Sequence, residues 1–532
     1  MLLFLLVPGR WAGAQSVPAW LGAGSVGSAS RSSCLVDAAG NTYVSGTFYA
    51  PAVIGTSSYT PVGGNDGYLV KYTLAGAVEW LFRLSSAGSE TLRGLAQDAA
   101  GNLYVCGSTT GSVTLGNGLV ASGEFLLRLS PQGTPQWVQP LGASGYQVGT
   151  DAAGHVFVVG MYRNTLTLAG TTLNIPAGNN LSSAPYLARF DAATGAPQRL
   201  TAAGYYPSFT GQASLFTSGL AVSPAGDAYV LTVFGERLVV GTDTLVSRGS
   251  NDGLIVKFNA QGTREWMQQL GGSLTDHLYQ AATDAAGNLY AAGAFMQAGT
   301  VGGTAISSAG GYDGFLAKFS PDGALQWVRT GGGPSLDMWY GLSVDAAGNA
   351  YLAGTFFGTA SHGGGSVSSA GDSDAVVAAY SPQGQLGWVQ RAGGSAADDA
   401  FYAGVDAQGR AHVYGSLRGP ATFGPATVTP TLLSSTVFSE NYLAHLGSAA
   451  LAARPSAAHQ PLLLYPNPAH EAVRLVGLPA GTPVQFIDAR GRVAREAQAG
   501  GEVSVRGLPA GLYTLRARDA HGRSYSGRVA VE

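Results

Sequence analysis

Short runs of alternating apolar and polar residues recur along the chain, and each is followed by a turn of small or polar residues. Phe315 to Phe319 alternates in this way, and Leu289 to Phe295 is rich in residues that favour strands. Such runs predict half-buried β-strands, and Gly287 and Pro321 mark tight turns between them. In this part of the chain we predict four antiparallel strands: Gln280 to Thr283, Leu289 to Phe295, Gly314 to Phe319 and Leu325 to Thr330.

The pattern of an acid, a tight turn, an aromatic residue, a glycine and a second aromatic residue recurs with small variations in seven copies. Four of the six intervals between copies are 61 residues long. A period of this length indicates stacked supersecondary units. We number these units repeats 1 to 7 and call the first residue of each pattern its turn anchor. The turn anchors are Asp37, Asp98, Asp151, Ser223, Asp284, Asp345 and Asp406.

A tryptophan marks the fourth strand of five repeats, but repeat 7 has none. At the other end of the chain, Trp20 lies 17 residues before the turn anchor Asp37, close to the usual distance. We therefore predict that the strand of Trp20 is the fourth strand of repeat 7, lies beside Tyr442 to Leu446, and closes a ring. The predicted fold is all-β: a seven-bladed β-propeller over residues 15–446, with four strands in each blade.

Individual copies also carry a family resemblance. The segment Gly341 to Thr355, with Asp345, Gly348 and Tyr351, resembles the SBBP type of bacterial β-propeller repeat. The resemblance extends over about four fifths of the chain. It implies the propeller fold and supplies no activity.

The two ends of the chain differ in composition from the repeats. Residues 1–14 combine an apolar run with small residues and are interpreted as the remnant of a secretory signal. Residues 447–461 are small and polar, which is typical of a linker. Residues 462–532 contain cleanly alternating strands, as in Tyr513 to Arg518, and predict a small Ig-like β-sandwich.

This last segment resembles the type A C-terminal sorting domain of the type IX secretion system. The matching residues are Tyr465, Pro466, Asn467, Pro468, Gly511, Leu512 and Tyr513, followed by the terminal strand Val529 to Glu532. The resemblance implies that the secretion machinery is a partner of this domain. It also implies that the protein is secreted or lies on the outer cell surface.

Composition excludes several classes of partner and site. Charged residues make up 11% of the chain and the net charge is −3, so no basic surface for nucleic acid is expected. No stretch is long enough for a transmembrane helix. Alanines occupy the alternate positions of the Asp-Ala-Ala-Gly-Asn motifs, where calcium would need oxygen ligands, so we predict that the turn anchors cap turns. We predict no metal or other cofactor; a Ser-His-Asp triad, which assembles in space, stays open.

The connections of variable length leave one face of the predicted ring, where a rigid scaffold presents binding residues. Acids and aromatic residues precede the first strands of repeats 5 to 7 on this face and suit sugar hydroxyls or a cationic group. The alternative is that they are ordinary packing residues. The candidates are Asp276, Tyr279, Asp337, Trp339, Tyr340, Asp398 and Phe401, with Glu90 as a further acid. An insertion with Tyr205, Tyr206 and Phe209 either fills the channel mouth or packs on a neighbouring blade.

No catalytic constellation is visible, so the sequence favours a binding or adhesion protein with a carbohydrate or protein ligand. The alternative is a propeller hydrolase or lyase acting on polysaccharide, for which Asp337 and Asp398 are the only candidate carboxylate pair. A purely structural adhesion module is a third interpretation.

Overall fold

The computed structural model describes residues 18–176, 183–205, 215–431, 437–447, 460–476, 478–488, 492–518 and 524–532. Its contacts divide the chain into two compact units, Met1–Ser448 and Ala449–Glu532. The division falls inside the stretch that we predict as a linker. The predicted secretory signal, Tyr206 and Phe209 lie outside the described residues.

The described part of the first unit contains seven groups of four antiparallel strands, one group for each repeat. The first strands are Ser30–Val36, Glu90–Gln97, Ser144–Thr150, Leu215–Val222, His277–Thr283, Asp337–Val344 and Asp398–Val405. The second strands are Thr42–Phe48, Leu103–Thr114, His155–Arg163, Ala228–Phe234, Leu289–Val301, Ala350–Phe356 and Ala411–Leu417. The third strands are Asp66–Tyr72, Val120–Leu129, Ser183–Asp191, Asp252–Phe258, Thr304–Phe319, Asp374–Tyr380 and Glu440–Gly447. The fourth strands are Val78–Leu84, Pro135–Pro140, Pro197–Ala202, Arg264–Gly272, Leu325–Gly331, Leu386–Gly394 and, for repeat 7, Ala19–Gly27.

The connections between second and third strands are not plain loops. In repeat 5, both strands run past their predicted ends, and Val301 pairs with Thr304 across a tight turn. In repeat 2, the two long strands meet at a 3-10 turn, Gly116–Gly118. The other five connections hold separate hairpins: Ala52–Ile54 with Ser57–Tyr59, Thr165–Leu168 with Thr171–Asn174, Arg237–Val240 with Asp243–Val246, Thr359–Ser361 with Ser366–Ser368, and Ala421–Phe423 with Ala426–Val428.

Some hairpins also join one repeat to the next. The end of the fourth strand of repeat 4 pairs with repeat 5 through Gly271 and Thr300, and Gly393 of repeat 6 pairs with Thr422 of repeat 7. Backbone hydrogen bonds thus extend across the boundaries between repeats on the face that carries the long connections.

The first strands form a closed series. Each contacts the first strand of the next repeat, and the first strand of repeat 7 contacts that of repeat 1. Trp20 lies opposite Leu446 in an antiparallel pair, so the predicted partner of the N-terminal strand is confirmed. The unit is a repeat β-propeller, built around its first strands.

The recurring glycine of the second strand makes room for an aromatic ring. A Cβ atom on Gly46 would lie 2.7 Å from the Tyr68 ring, and one on Gly415 would lie 2.5 Å from the Tyr442 ring. Both tyrosines are fully buried on the third strand. The glycine and the ring therefore fill one space together, which explains why they recur as a pair.

The turn anchors act as predicted. The Asp284 carboxylate accepts hydrogen bonds from the backbone N–H groups of Ala286 and Asn288 and from the Asn288 side-chain amide, at 2.8 to 3.1 Å. Asp37 accepts the corresponding bonds and one from the Tyr43 hydroxyl. These carboxylates satisfy turn donors, as expected for Asp at such positions.

The fourth-strand tryptophans bind adjacent repeats together. The indole N–H of Trp266 donates to the carbonyl of Pro321 at 2.9 Å, in the turn of the following repeat. Trp327 donates in the same way to Pro382 at 3.0 Å. Each ring also covers a turn glycine of that neighbour, Gly323 and Gly384 respectively, so the residue that identifies a repeat in the sequence is also a contact to the next one.

The second unit is described by eight strands in sheets of five and three. Its core includes Val473, Phe486, Leu515 and Val529. The strands are Gln460–Pro461, Leu463–Tyr465, Ala472–Val476, Pro483–Ile487, Val493–Gln498, Glu502–Ser504, Gly511–Arg518 and Ser524–Val531. Two sheets fit a sandwich; the Ig-like topology stays a prediction. Across the described ranges of both units, no helix has the length and apolar character needed to cross a membrane.

Ring closure can be tested at two adjacent positions of the N-terminal strand. Trp20 is 6% exposed and meets Phe423 edge to face at 5.1 Å, whereas Leu21 is 44% exposed. We expect Trp20→Ala to lower the free energy of unfolding of the first unit by about 3 kcal/mol through lost packing. The control Leu21→Ala should cost about 1 kcal/mol or less. Urea unfolding followed by far-UV circular dichroism measures both; equal losses would contradict a closing role for Trp20.

Candidate functional site

Each first strand carries an irregularity at the same place. The pairing with the second strand skips the residue five positions before the turn anchor, which forms a β-bulge. In repeat 2 the following Gly94 is skipped as well. A bulge redirects one side chain out of the regular alternation. The bulge residues are Ser32, Arg93, Tyr146, Ser218, Tyr279, Tyr340 and Phe401, and all are at least partly exposed.

The bulge residues of repeats 5 to 7 are aromatic and contact one another. The ring centroids of Tyr279 and Tyr340 lie 5.3 Å apart, and those of Tyr340 and Phe401 lie 6.1 Å apart. His277 stacks on Tyr279 at 5.4 Å. We call His277, Tyr279, Tyr340 and Phe401 the aromatic arc. It follows three consecutive first strands of the ring and is partly open to solvent.

The arc carries no charge at neutral pH. Burial lowers the pKa of the His277 imidazole and raises the pKa of the Tyr279 and Tyr340 hydroxyls, because a desolvated group favours its neutral form. Both tyrosine hydroxyls point at the Met338 sulfur, at 3.8 and 3.6 Å. A thioether is a weak acceptor, so these hydroxyls keep hydrogen-bonding capacity for another molecule.

The predicted acids do not join this surface. Asp276, Asp337 and Asp398 are 3%, 2% and 0% exposed. Each accepts a hydrogen bond from a backbone N–H four residues earlier, at 2.6 to 2.7 Å, in the connection that enters the repeat. Glu90 does the same with Ser86. Their prediction as ligand-contacting groups is wrong, because each side chain is buried and accepts a hydrogen bond from a backbone N–H group. Asp337 and Asp398 are therefore not presented to a polysaccharide as a carboxylate pair.

Trp339 is also a packing residue. It is 2% exposed, belongs to a core cluster with Leu342 and Phe356, and contacts the His362 ring at 5.1 Å. Its indole lies against Gly314 of repeat 5, where a Cβ atom would come within 2.3 Å. Trp339 fills the junction between two repeats, and its prediction as a binding residue is wrong.

The insertion of repeat 3 is described only at its start. Tyr205 is half-buried against the core of repeat 3, and its backbone exchanges two hydrogen bonds of 2.8 Å with Val239 of repeat 4. The sequence left two possibilities for this insertion: it fills the channel mouth, or it packs on a neighbouring blade. At Tyr205 the chain packs on the neighbouring repeat.

The predicted sorting motifs converge in the second unit. The Asn467 side chain donates to the Arg528 carbonyl and accepts from the Ala530 N–H, both at 2.9 Å, and so joins the first motif to the terminal strand. The strand Gly511–Arg518 pairs with that terminal strand along its length. Tyr465, Pro466, Pro468, Gly511 and Leu512 are exposed, whereas Tyr513 is buried and donates to the Pro509 carbonyl. Motifs far apart in the sequence thus meet at the terminal strand.

Two further bulge residues, Arg93 and Tyr146, are not among the candidates predicted from the sequence. The Arg93 guanidinium lies 5.6 Å from the Tyr146 ring centroid and forms an ion pair of 2.9 Å with Glu124. Arg93 and Tyr146 each lie five residues before a turn anchor, as Tyr279 and Tyr340 do. Counting back from the anchor, rather than looking for acids, is the signal that finds them. Among the described residues, no group of three or more His, Cys, Asp and Glu is placed to hold a metal ion.

Comparisons with known proteins find remote similarities. No family model matches the chain. An uncharacterized WD repeat-containing protein of Acanthamoeba polyphaga mimivirus is 20% identical over an alignment of 317 residues that covers 55% of this chain. The chain spans only 21% of the length of that relative.

Solved structures that resemble the chain are remote. A protein of unknown function from Bacteroides caccae is 9% identical and covers 61% of this chain and 89% of its own, with a TM-score of 0.30. A gluconolactonase from Xanthomonas campestris is 12% identical, with coverages of 82% and 99% and a TM-score of 0.29. PorZ, a surface component of the type IX secretion system of Porphyromonas gingivalis, is 14% identical, with coverages of 94% and 93% and a TM-score of 0.16. At these identities and TM-scores, the similarities do not indicate an activity for this chain.

The buried acids make stability depend on pH. Burial raises the pKa of Asp276 and Asp337 to about 6 and that of Asp398 to about 7, well above the value of about 4 in an unfolded chain. These groups therefore take up protons on folding, and the stability that they contribute falls as pH rises from about 4 to about 7. Buried imidazoles such as His362, whose pKa burial lowers to about 4, act in the opposite direction. The slope is at most about 1.4 kcal/mol per pH unit for each titrating group.

We expect the free energy of unfolding of the parent chain, minus that of Asp398→Asn, to be larger at pH 5 than at pH 7.5. Asp398→Asn keeps an acceptor for the Gly394 N–H and removes one titrating group, so the difference isolates the raised pKa of Asp398. Urea unfolding of both chains at the two pH values measures it. A difference that is equal at both values, or larger at pH 7.5, would contradict this assignment.

Proposed function

We propose that the first unit is a seven-bladed β-propeller, closed by its N-terminal strand, that binds a carbohydrate at one mouth of its central channel. The observation that carries the proposal is the aromatic arc. Three of its four rings lie on bulges, and the rings contact one another across three repeats and remain partly exposed. A continuous apolar surface with a few polar groups is typical of small-molecule sites.

The chemistry of the arc supports a sugar over a cationic ligand. The carboxylates that would attract a cation are turned into the junctions between repeats, and the arc itself is neutral. Aromatic faces cover the C–H surface of a sugar ring, while the Tyr279 and Tyr340 hydroxyls, whose contacts to the Met338 sulfur are weak, are left to bind its hydroxyls. A bound sugar would therefore lie along the first strands of repeats 5 to 7.

Binding is tested with the full chain on an array of neutral and acidic oligosaccharides, followed by calorimetry with the sugar that binds. We expect Tyr279→Ala and Tyr340→Ala each to weaken binding by about 3-fold to 10-fold, because each removes one stacking ring. Tyr49→Ala is the control: Tyr49 is 73% exposed but lies outside the arc. If no sugar binds, or if the control weakens binding as much as the arc variants, the proposal fails.

We also propose that residues 462–532 direct export by the type IX secretion system and that the propeller is secreted or held on the outer cell surface. The support is the resemblance of the three motifs, together with their convergence on the terminal strand and the exposure of Tyr465 and Leu512. The expected partner of these motifs is the secretion machinery.

Export is tested in a host that has this secretion system. We expect deletion of Leu462 to Glu532 to leave a folded propeller inside the cell envelope, since the two units are separately compact. Leu512→Ala should reduce surface display, and Val493→Ala should not; the two side chains are 54% and 49% exposed on the same unit. Protease accessibility on intact cells measures display. Normal display of the deleted chain would refute the assignment.

A further inference from the structure

The position six residues before the turn anchor is a packing position. In repeats 2 to 7 it is uncharged and buried, next to the bulge residue. The residues there are Leu92, Gly145, Thr217, Leu278, Trp339 and Ala400. Repeat 1 alone has a charged residue, Arg31, and Arg31 is partly exposed.

Arg31 lies at the end of the aromatic arc. Its guanidinium carbon is 3.6 Å from the centroid of the Phe401 ring, which contacts Tyr340 on its other side. The arc and Arg31 therefore form one continuous surface from repeat 5 to repeat 1, with the only positive charge of that surface at its repeat 1 end.

The guanidinium has no anionic partner among the described residues. No ion pair involves Arg31, and its Nε atom is buried without a hydrogen-bond acceptor. Asp399 attracts it only weakly, and the Asp399 carboxylate accepts hydrogen bonds from Thr355 at 2.6 Å and Ser416 at 3.5 Å instead. A guanidinium offers five donors in a fork that matches a carboxylate or sulfate.

A half-buried arginine without an anionic partner is an unfavourable packing residue. Burial lowers its pKa, yet an arginine stays protonated in proteins and keeps the cost of a desolvated charge. The corresponding positions show that leucine or tryptophan fills this space. The positive charge of Arg31 is therefore explained better by an anionic ligand that pairs with it than by a role in packing.

We propose that Arg31 is the acid-binding group of the channel mouth, and that the ligand is a saccharide whose carboxylate or sulfate pairs with this guanidinium while its rings stack on the arc. The inference rests on the proposed carbohydrate site and adds the class of sugar. The acidic group would be bound beside Phe401, at the junction of repeats 7 and 1, and the neutral part of the ligand would extend toward Tyr279.

The test uses calorimetry on the full chain with three probes of equal length: a hexamer of galacturonate, its methyl ester, and a sulfated galactan hexamer. We expect at least one acidic probe to bind about tenfold or more tightly than the ester, since charge-assisted bidentate pairs are strong. This advantage should shrink several-fold between 50 and 500 mM NaCl. The two acidic probes distinguish a carboxylate ligand from a sulfate ligand.

Arg31→Met should bring the affinity ratio between acidic probe and ester close to one. Its thermal midpoint should equal or exceed that of the parent, because a desolvated charge is replaced by an apolar side chain. Arg163→Met, which removes an exposed arginine of repeat 3, should keep the full ratio. Should Arg31→Met fail to fold, Arg31→Lys, which keeps the charge and loses the planar fork, should bring the ratio partway toward one.

Equal affinity of the parent for acidic probes and ester would overturn the role of Arg31 and leave the carbohydrate site standing. An acidic preference that survives in Arg31→Met would move the acid-binding group elsewhere. No binding of these probes or of any sugar on the array would remove both proposals.

Discussion

The structure of the first unit depends on contacts that no repeat can satisfy alone. Each four-stranded sheet leaves apolar faces that only the adjacent sheets cover, and the fourth-strand tryptophans bind each repeat to a turn of the next. Such an array either caps its ends or joins them. Here the ends are joined by Ala19–Gly27 beside Glu440–Gly447. The aromatic arc exists because of this arrangement: bulge residues on separate repeats contact one another only where the first strands are held side by side.

Much of this architecture can be predicted from the sequence. The turn anchors, the glycine and aromatic pair, and the tryptophan each serve one local purpose in every repeat, so their spacing identifies strands and turns reliably. The displaced Trp20 is enough to predict which strand completes repeat 7. The hairpins in the long connections could not be predicted: Ala298 to Ser307 consists mostly of small residues and has only two large apolar side chains, Val301 and Ile306, which are too few to define a strand period. Its strands pair with each other and with the preceding repeat.

The candidate site shows where sequence patterns mislead. Three of the predicted aromatic residues, Tyr279, Tyr340 and Phe401, do form a common surface, whereas the acids and Trp339 beside them are buried. The bulge is the physical reason, because an extra residue reverses the alternation for everything before it. The side chains six positions before the anchor, such as Trp339, and eight positions before it, such as Asp337, therefore point to the opposite side from the one that a strict period of two predicts, and both are buried. An aspartate that caps a turn and an aspartate that binds a ligand also look identical in the sequence. Only the burial and the hydrogen-bond partners of the carboxylate distinguish them.

The pairing of Trp20 with Leu446 has a consequence for how the chain folds. These residues are 426 positions apart, so the contact that completes the ring has nearly the largest sequence separation that the unit allows. Contacts of this kind carry a high loop-closure entropy and form late. Until Glu440–Gly447 is in place, the N-terminal strand and the last sheet both present unpaired edges, which can join other chains. The period before closure is therefore the time at which this protein is most prone to aggregate, and a chaperone that covers the edge strand around Trp20 would protect it most.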